Sequence, residues 1–564
     1  MSQWKKRDLL TSIQEVVLRN TGYSTIEDLL NVDKKSYYIK NLLEVVELIK
    51  KAIAKKVPII IVGDYDADGV TSTLIMKMSI ESLGGIVSYR IPHRFSEGYG
   101  INESIIDEID SGLVITVDNG IVAFDAIKKA KDKGLTVILT DHHEPSPDGR
   151  VPCADIVIDP HIPGTADFED YCGAGIAYRI AKELIPEDDK LLKKLSCFAA
   201  IGTIADVVSL IEENRVIVQE GLKNMTIYGY RTSGLYSLLK LYDLDRRIDE
   251  HDVGFKIGPA INSPGRLEDN GASKAIEILG YDGPFEEEYA KELIELNEKR
   301  KEMVKESMLR AEKNISENAL FADYPLVIAD DFHEGIVGII AGKFTESKKV
   351  PTFVLTNSEE KGILKGSGRS VAGVNMKAVL DQLNAKSSDI LYKFGGHEMA
   401  AGVSVYEDKL DDFIEQLQDL VEYQEFDDVI EYDLEISSKD IESTIEELKK
   451  YAPYGAHNEN IIFKISDYKL SPRQSSYYTT NGENNENVKL YGVNVTAIGF
   501  NMTEKYIDAG EPKEVEMICK LGETYYFNRK GLQAEMMDFK AVKNKVSTSR
   551  FAAAIAKKKE ERFK

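Results

Sequence analysis

Cysteine is scarce. The chain holds four, Cys153, Cys172, Cys197 and Cys519, with no CxxC pair and no zinc-like spacing. That spacing excludes a thiolate zinc site and gives no disulfide framework, leaving buried or idle thiols in a reducing compartment. Long apolar runs are missing too. No stretch approaches the roughly 20 residues a helix needs to cross a bilayer. The opening "MSQWKKRDLL" has neither an apolar h-region nor a small-residue cleavage site. The expectation is a soluble, cytoplasmic protein with no membrane partner. Basic residues are outnumbered, 71 Lys and Arg against 95 Asp and Glu, for a net charge of −24. Taken alone this argues against nucleic acid, because phosphate binding draws on Lys and Arg. Affinity, however, is set by the local groove and not by the sum. The balance is also uneven: residues 541–564 carry eight Lys or Arg against two Glu, as a solvated terminal helix or a phosphate-seeking tail would.

What is present is ample apolar material, 43% of 564 residues, enough for roughly three or four full-sized domains. Residues 1–56 read as mostly helical, with "NLLEVVELIKKAIAKK" amphipathic. From 57 to about 145, "VPIIIV", "LVITV" and "LTVILT" are short β-rich runs without polar alternation, as in strands buried on both faces. Helix-like stretches between them imply a parallel sheet with crossover helices. Residues 173–283 are helix-rich, and "AAIGTIADVVSL" sets Asp206 in an apolar stretch where a charge needs a partner. A long charged helix follows, with Tyr289, Leu293, Leu296, Val304, Met308 and Ala311 as an interrupted stripe. That stripe suits a connection between domains better than a coiled coil. Residues 325–405 return to an α/β rhythm through "PLVIAD", "VPTFVL" and "GILKGSGRS", 410–450 are helical and acidic, and 460–545 alternate apolar and polar as an all-β domain does.

The chemistry gathers at the strand ends. "IIIVGDYDADGVTS" leaves its strand with Asp64, Asp66 and Asp68 at alternate positions, "LVITVDNG" ends at Asp118, and "LTVILTDHH" ends at Asp141, His142 and His143. Ligands of parallel sheets bind beyond these carboxyl ends. An EF-hand loop would need Glu at the twelfth position from Asp64, where Ile75 stands, and a phosphate loop would need a Lys that is absent. Oxygen-rich ligands with one or two imidazoles suit Mn²⁺ or Mg²⁺ rather than zinc. The carboxylates are too many for one Mg²⁺ that keeps its waters. Two ions sharing a bridging carboxylate would use them all, and such pairs serve phosphoester hydrolysis.

These residues resemble the DHH phosphoesterase superfamily and, more closely, the bacterial RecJ single-strand exonucleases, over about residues 25–545. "GDYDADGVTS", "VDNGI", "DHHEP" and "GTIADVVSL" are similar to its four metal motifs. "RFSEGYGIN", "CGAGIAYRIA" and "INSPGRL" are similar to RecJ connections, and "KGSGRS" with "FGGHEMAAG" to a DHHA1 domain. The segment from "YAPYGAHNENIIF" to "LQAEMMDFKAV" is similar to the RecJ OB-fold. The resemblance implies an α/β protein: a parallel-sheet DHH domain with a helical N-terminal segment over 1–283, a connecting helix over 284–320, a smaller α/β DHHA1 domain over 321–425, an all-β OB-fold over 426–545 and a basic tail over 546–564. It implies that Asp64, Asp66, Asp68, Asp118, His142 and Asp206 hold two Mn²⁺ or Mg²⁺ with Asp118 bridging, and that His143 sits beside the phosphate. It places Arg266, Ser367, Arg369 and His397 on the 5′ end and nearby phosphates, where Arg's fork suits phosphate oxygens.

The implied activity is 5′-to-3′ hydrolysis of single-stranded DNA to 5′-mononucleotides, in repair and recombination, by a monomer. A single-strand-binding protein or a helicase is the implied protein partner. The alternatives are a DHH phosphodiesterase of short oligoribonucleotides or cyclic dinucleotides, and a non-catalytic scaffold. Departures from the family are Asn119 for its usual Cys, Pro264 before Gly265, and His457 and Asn460 in "GAHNEN". Tyr525, Tyr526 and Phe527 are candidate base-stacking surfaces. His142 must be neutral to ligate a metal, so activity is expected to fall on acidification through about pH 6.

Overall fold

The computed structural model describes residues 3–227, 234–244, 247–283, 288–317, 324–422, 429–526 and 529–542. The chain forms two compact units, Asn31–Phe426 and a discontinuous one made of Met1–Leu30 and Asp427–Lys564.

The larger unit is built on an all-parallel five-stranded sheet. Its three middle strands are the apolar runs read from the sequence: Ile59–Val62, Leu113–Thr116 and Thr136–Thr140. The edges, Val87–Arg90 and Ile156–Ile158, escaped that reading because one is half exposed and the other is three residues long. Across the sheet the order is Val87–Arg90, Ile59–Val62, Leu113–Thr116, Thr136–Thr140, Ile156–Ile158. Successive crossovers therefore leave the first strand in opposite directions. Between Ile59–Val62 and Leu113–Thr116 this opens the crevice where sheets of this type bind ligands.

The helix Ala67–Ser82 leaves the first strand and is buried nearly all round, under Gly173–Leu184 and Asp189–Ala205. Its hydroxyls are satisfied within the helix, Thr71 by the Ala67 carbonyl and Ser72 by that of Asp68, both at 2.7 Å. Gly202 permits the close approach: a Cβ there would stand 2.5 Å from Ala174 Cβ and 2.6 Å from Asp68 Oδ1. Gly202→Ala should therefore cost about 1–3 kcal/mol by overpacking. Thermal unfolding of the two proteins checks this, and an unchanged midpoint would refute the packing account.

The connecting helix is Lys291–Glu317, 27 residues and roughly 40 Å long. Leu293, Val304 and Ala311 of the expected stripe are buried; residues 284–287 and 318–320 of the expected span lie outside the described residues. Beyond it, a mixed sheet runs in the order Leu391–Gly396, Ala400–Tyr406, Ile363–Arg369, Thr352–Asn357, Leu326–Ala329, with only the last pair parallel.

The smaller unit carries a seven-stranded sheet in the order Leu434–Ile436, Phe463–Lys469, Glu514–Tyr526, Arg529–Ala541, Val495–Gly499, Asn487–Tyr491, Tyr478–Asn481. It is β-rich rather than all-β, since Ile441–Leu448 and Thr503–Asp508 are helices. One expectation needs correction. Residues 3–30 do not form a helical lead-in to the catalytic domain; Gln3–Lys6 is a strand paired with Val429–Tyr432, and the segment belongs to this unit. Buried carboxylates hold it there. Asp433 accepts from Arg7 and Arg19, and Asp538 accepts from Trp4 Nε1 at 2.7 Å. The mostly helical reading of residues 1–56 covers Ile13–Thr21, which starts in a Ser12–Glu15 capping box, but such a reading does not say which core a helix faces. His457, where the family has glycine, adopts a left-handed φ of 58°. Tyr525 is exposed with its hydroxyl on Glu523. The side chain of Tyr526, Phe527 and the basic tail lie outside the described residues. No described helix is long and apolar enough to cross a membrane.

Candidate active site

The DxDxD segment divides its carboxylates among three environments. Asp64 lies two residues beyond the strand Ile59–Val62 and is 1% exposed, and its Oδ1 has no hydrogen-bond partner among the described residues. Asp66 caps the helix Ala67–Ser82, accepting from the Asp68 and Gly69 backbone N–H groups at 3.0 Å. Asp68 turns the other way, into the N-terminus of Gly173–Leu184, where Gly173 N–H donates to Oδ2 at 2.6 Å and Ala174 N–H to Oδ1 at 2.8 Å. The dipole and free amides of that helix end suit an anion. Gly69 makes the fold-back possible, since a Cβ there would stand 2.5 Å from the Asp64 carbonyl oxygen.

Two further carboxylates sit where local structure alone would not put them. Asp118 has a left-handed φ of 63°, and its carbonyl oxygen accepts from Tyr99 Oη at 2.8 Å. Asp206 caps the C-terminal end of Asp189–Ala205, where the helix dipole opposes a negative charge. The next residue, Val207, is β-branched, left-handed at φ 62° and 70% exposed. Such conflict between sequence and conformation collects at functional sites.

His142 Nε2 lies 3.0 Å from Asp118 Oδ1, and 3.7 Å from both Asp68 Oδ2 and Asp206 Oδ2. At these strand ends, donor atoms within 4.8 Å of one another form the sets Asp64, Asp66 and Asp118; Asp68, His142 and Asp206; and Asp118, His142 and His143. Asp118 thus touches both halves of the cluster. Asp141 stands apart from these sets. It accepts from the His142 and His143 N–H groups and from His143 Nδ1 at 2.7 Å, and so orients the second imidazole.

The electrostatics follow from burial of like charges. Burial, then the charge of Asp66, raises Asp68 to about 6. Burial and neighbouring carboxylates push Asp64, Asp118 and Asp206 well above the usual range. Burial, then the charge of His143, lowers His142 to about 3. Burial opposes His143's charge, but the Asp141 hydrogen bond and surrounding carboxylates carry it up to about 9. His142 is therefore neutral far below pH 6, and the expected acid loss through its protonation passes to the carboxylates.

The raised carboxylates bind more protons folded than unfolded, so the stability they add at low pH is lost as pH rises through about 6 and beyond. His142, depressed to about 3, acts in the opposite sense only below its unfolded value of about 6.5. The thermal midpoint in chelator should fall from about pH 6.5 to 8, and excess Mn²⁺ should reverse the fall. A chelated midpoint that rises over that window would contradict this.

Beside the cluster lies a cleft of about 490 Å³, lined by Tyr65, Arg94 and Arg266 on one wall and by residues of the mixed sheet, including Lys365, Ser367, Arg369 and Lys393, on the other. Tyr65, between Asp64 and Asp66, joins cleft to cluster, and Arg94 lies over its ring at 4.5 Å. Burial, then the charges of Arg94 and Arg300, lowers Arg266 to about 10; burial lowers Arg369. Neither has a carboxylate partner among the described residues, which is the signature of a site awaiting an anion. Arg369 Nη1 donates to Ser367 Oγ and, at 2.9 Å, to the Gly368 carbonyl.

Of the four residues expected to bind phosphate, Arg266, Ser367 and Arg369 meet in this cleft. His397 does not line it; it is exposed at the turn between Leu391–Gly396 and Ala400–Tyr406, its N–H on the Ala400 carbonyl. Sequence reasoning placed Asp141 at its strand end without giving it a role, and it missed Tyr99, Arg94 and Asn262, whose Oδ1 accepts the Ala67 N–H at 2.8 Å. Tyr99, Arg94 and Asn262 lie in or beside quoted motifs, but only distance reveals what they touch. Asn119 braces the strands instead of the cluster: Nδ2 donates to the Val62 and Val117 carbonyls and Oδ1 accepts the Ile101 N–H.

Residues 58–203 match the DHH family, N-terminal domain, 322–422 the DHHA1 domain and 432–538 the RecJ OB domain. The single-stranded-DNA-specific exonuclease RecJ of Bacillus subtilis (strain 168) is 34% identical over 554 residues, spanning 94% of this chain and 68% of that protein. The chain belongs to the RecJ family. A crystal structure of the exonuclease RecJ bound to manganese is 30% identical, with a TM-score of 0.57 over 68% of this chain and 94% of that one. RecJ from Thermus thermophilus in complex with Mn²⁺ has the same fold, with a TM-score of 0.74 at 23% identity over 96% of this chain and 80% of that one.

Proposed function

We propose that this protein is a metal-dependent phosphodiesterase that takes single-stranded DNA by its 5′ end and releases 5′-mononucleotides. The observation that carries the reading is the juxtaposition of the carboxylate–imidazole cluster with a cleft whose arginines have no carboxylate ion-pair partner among the described residues. The name of the Bacillus relative and the manganese in the 30% identical RecJ point the same way.

The donor set suits hard divalent cations: carboxylate oxygens, one buried imidazole, and the orphaned Oδ1 of Asp64. Two Mn²⁺ or Mg²⁺ would be held by Asp64, Asp66 and Asp118 on one side and by Asp68, Asp118, His142 and Asp206 on the other. When bound, such ions polarise the phosphodiester and lower the pKa of water. The chain's own side chains do the rest. Asp118 serves both halves. His143, kept charged by Asp141, presents an N–H donor to the scissile phosphate. Arg266, Ser367 and Arg369 grip the 5′-terminal phosphate and set which bond lies over the cluster. The β-rich unit adds hold on the single strand.

A long single strand labelled at its 5′ or 3′ end, incubated with Mn²⁺ or Mg²⁺ beside a dinucleotide, tests this. Release of the 5′ label first, as a mononucleotide, is expected. Hydrolysis of the dinucleotide alone, attack from the 3′ end, or no turnover with any metal would overturn the reading.

A further inference from the structure

The cleft has one acidic side chain among its basic ones. Glu334 lines it together with Arg94, Arg266, Lys365, Arg369 and Lys393. Its carboxylate is paired with Lys365, while Arg266 and Arg369 have no such partner among the described residues.

The placement is constrained from both sides. Lys365, Ser367 and Arg369 alternate along the strand Ile363–Arg369 and so share a face. Same-face positions repeat about every 6.8 Å, comparable to the spacing of successive phosphates along an extended nucleic-acid strand. Lys365 therefore stands one phosphate away from the Ser367–Arg369 position. Glu334 opens the single turn Glu334–Ile336. The next residue, Gly335, is so close to Arg266 that a Cβ would stand 1.8 Å from its carbonyl oxygen. The turn is thus packed against the Arg266 backbone, and its carboxylate lines the cleft.

We propose that Glu334 is a displaceable counter-anion for Lys365, occupying the place of a backbone phosphate when the cleft is free of nucleic acid and regaining it as product leaves. The inference rests on the exonuclease reading and names the residue that governs release within it. The physical need is plain. A cleft with five cations and no acid would hold a 5′-mononucleotide, itself a phosphate anion, as firmly as it holds substrate. The pair is only partly exposed, but Lys365 keeps an anionic partner whether carboxylate or phosphate faces it, so exchanging one for the other is nearly balanced in free energy. Near-balance allows the strand to advance and the product to depart.

The test is equilibrium binding of a 5′-mononucleotide to the full chain, with turnover of single-stranded DNA measured in parallel. Glu334→Gln should tighten mononucleotide binding about fivefold and make product inhibition correspondingly stronger. In a Lys365→Ala background, Glu334→Gln should have no such effect. Thermal midpoints of the three variants separate this from a structural role: a structural pair would lower the midpoint in either single variant and tighten nothing. Unchanged or weaker mononucleotide binding in Glu334→Gln, or tightening that persists without Lys365, would overturn the inference. If the unsubstituted chain fails to cleave DNA from the 5′ end, the exonuclease reading itself falls; the binding comparison still decides whether Glu334 masks Lys365.

Discussion

Asp118→Asn should lower Mn²⁺-dependent hydrolysis by at least about 10³-fold and, in the same protein, raise the thermal midpoint measured in chelator. The two effects have one cause. Asp118 belongs to donor sets on both sides of the cluster, and it is buried beside Asp64, Asp66, Asp68 and Asp206, whose charges push its own carboxyl up. With metal, that carboxylate is, on the proposed reading, the shared ligand. Without metal, ionising that buried group against its neighbours is costly, and asparagine removes the cost. Asparagine is well tolerated at the left-handed backbone of this position, so the variant should fold. Excess Mn²⁺, at about 100 times its dissociation constant, stabilises a protein by about 2.7 kcal/mol; the variant should lose most of that shift. Calorimetry with chelator and with Mn²⁺, beside a nuclease assay, reads both signs. A variant that is destabilised without metal, or that keeps its Mn²⁺ shift, would refute the shared-ligand role.

Arg369→Ala should lower kcat/KM on 5′-phosphorylated single-stranded DNA by about 10²-fold, as expected from charged hydrogen bonds worth about 1.5–3 kcal/mol each. The loss should be far smaller on a 5′-hydroxyl strand, so that the preference for a phosphorylated end disappears. Arg369→Lys should restore only part of it, because a point charge cannot reproduce the guanidinium fork. The protein should not unfold. Arg369 is half-buried, lowers the pKa of Arg266 by its charge and has no carboxylate to leave stranded among the described residues. Equal losses on both ends, or a large fall in the thermal midpoint, would show that the side chain supports the fold instead of the substrate.

Much of the fold was legible because it is written locally. The three middle strands are unbroken apolar runs, and the carboxylates that follow each run must lie at one edge of a parallel sheet. The strand bearing Lys365, Ser367 and Arg369 was legible from its place in the returning α/β rhythm, although only its first two residues are apolar. The edge strands were not, since half-exposed "VSYR" and three-residue "IVI" carry too little pattern. Neither was the allegiance of residues 3–30. Trp4, Arg7 and Arg19 find their partners Asp538 and Asp433 more than 400 positions away, and no local period records that.

At the site the division is sharper. The sequence alone determined the ligand chemistry: carboxylates and imidazoles at successive strand ends, no thiolates, no calcium loop and no phosphate loop. It marked Asp206 as a charge in need of a partner, and it isolated the "GSGRS" segment. Only the tertiary structure decided how these groups serve one another. It set Asp206 at an unfavourable helix end beside His142, put Asp118 in both halves of the cluster, and made Asp141 the support of His143. It drove His142's pKa so low that acid acts through the carboxylates, and it placed Glu334 on Lys365. The physical reason is range. Strand and helix patterns arise from neighbours along the chain, whereas burial, charge coupling and hydrogen bonding depend on which distant segments come within a few ångströms.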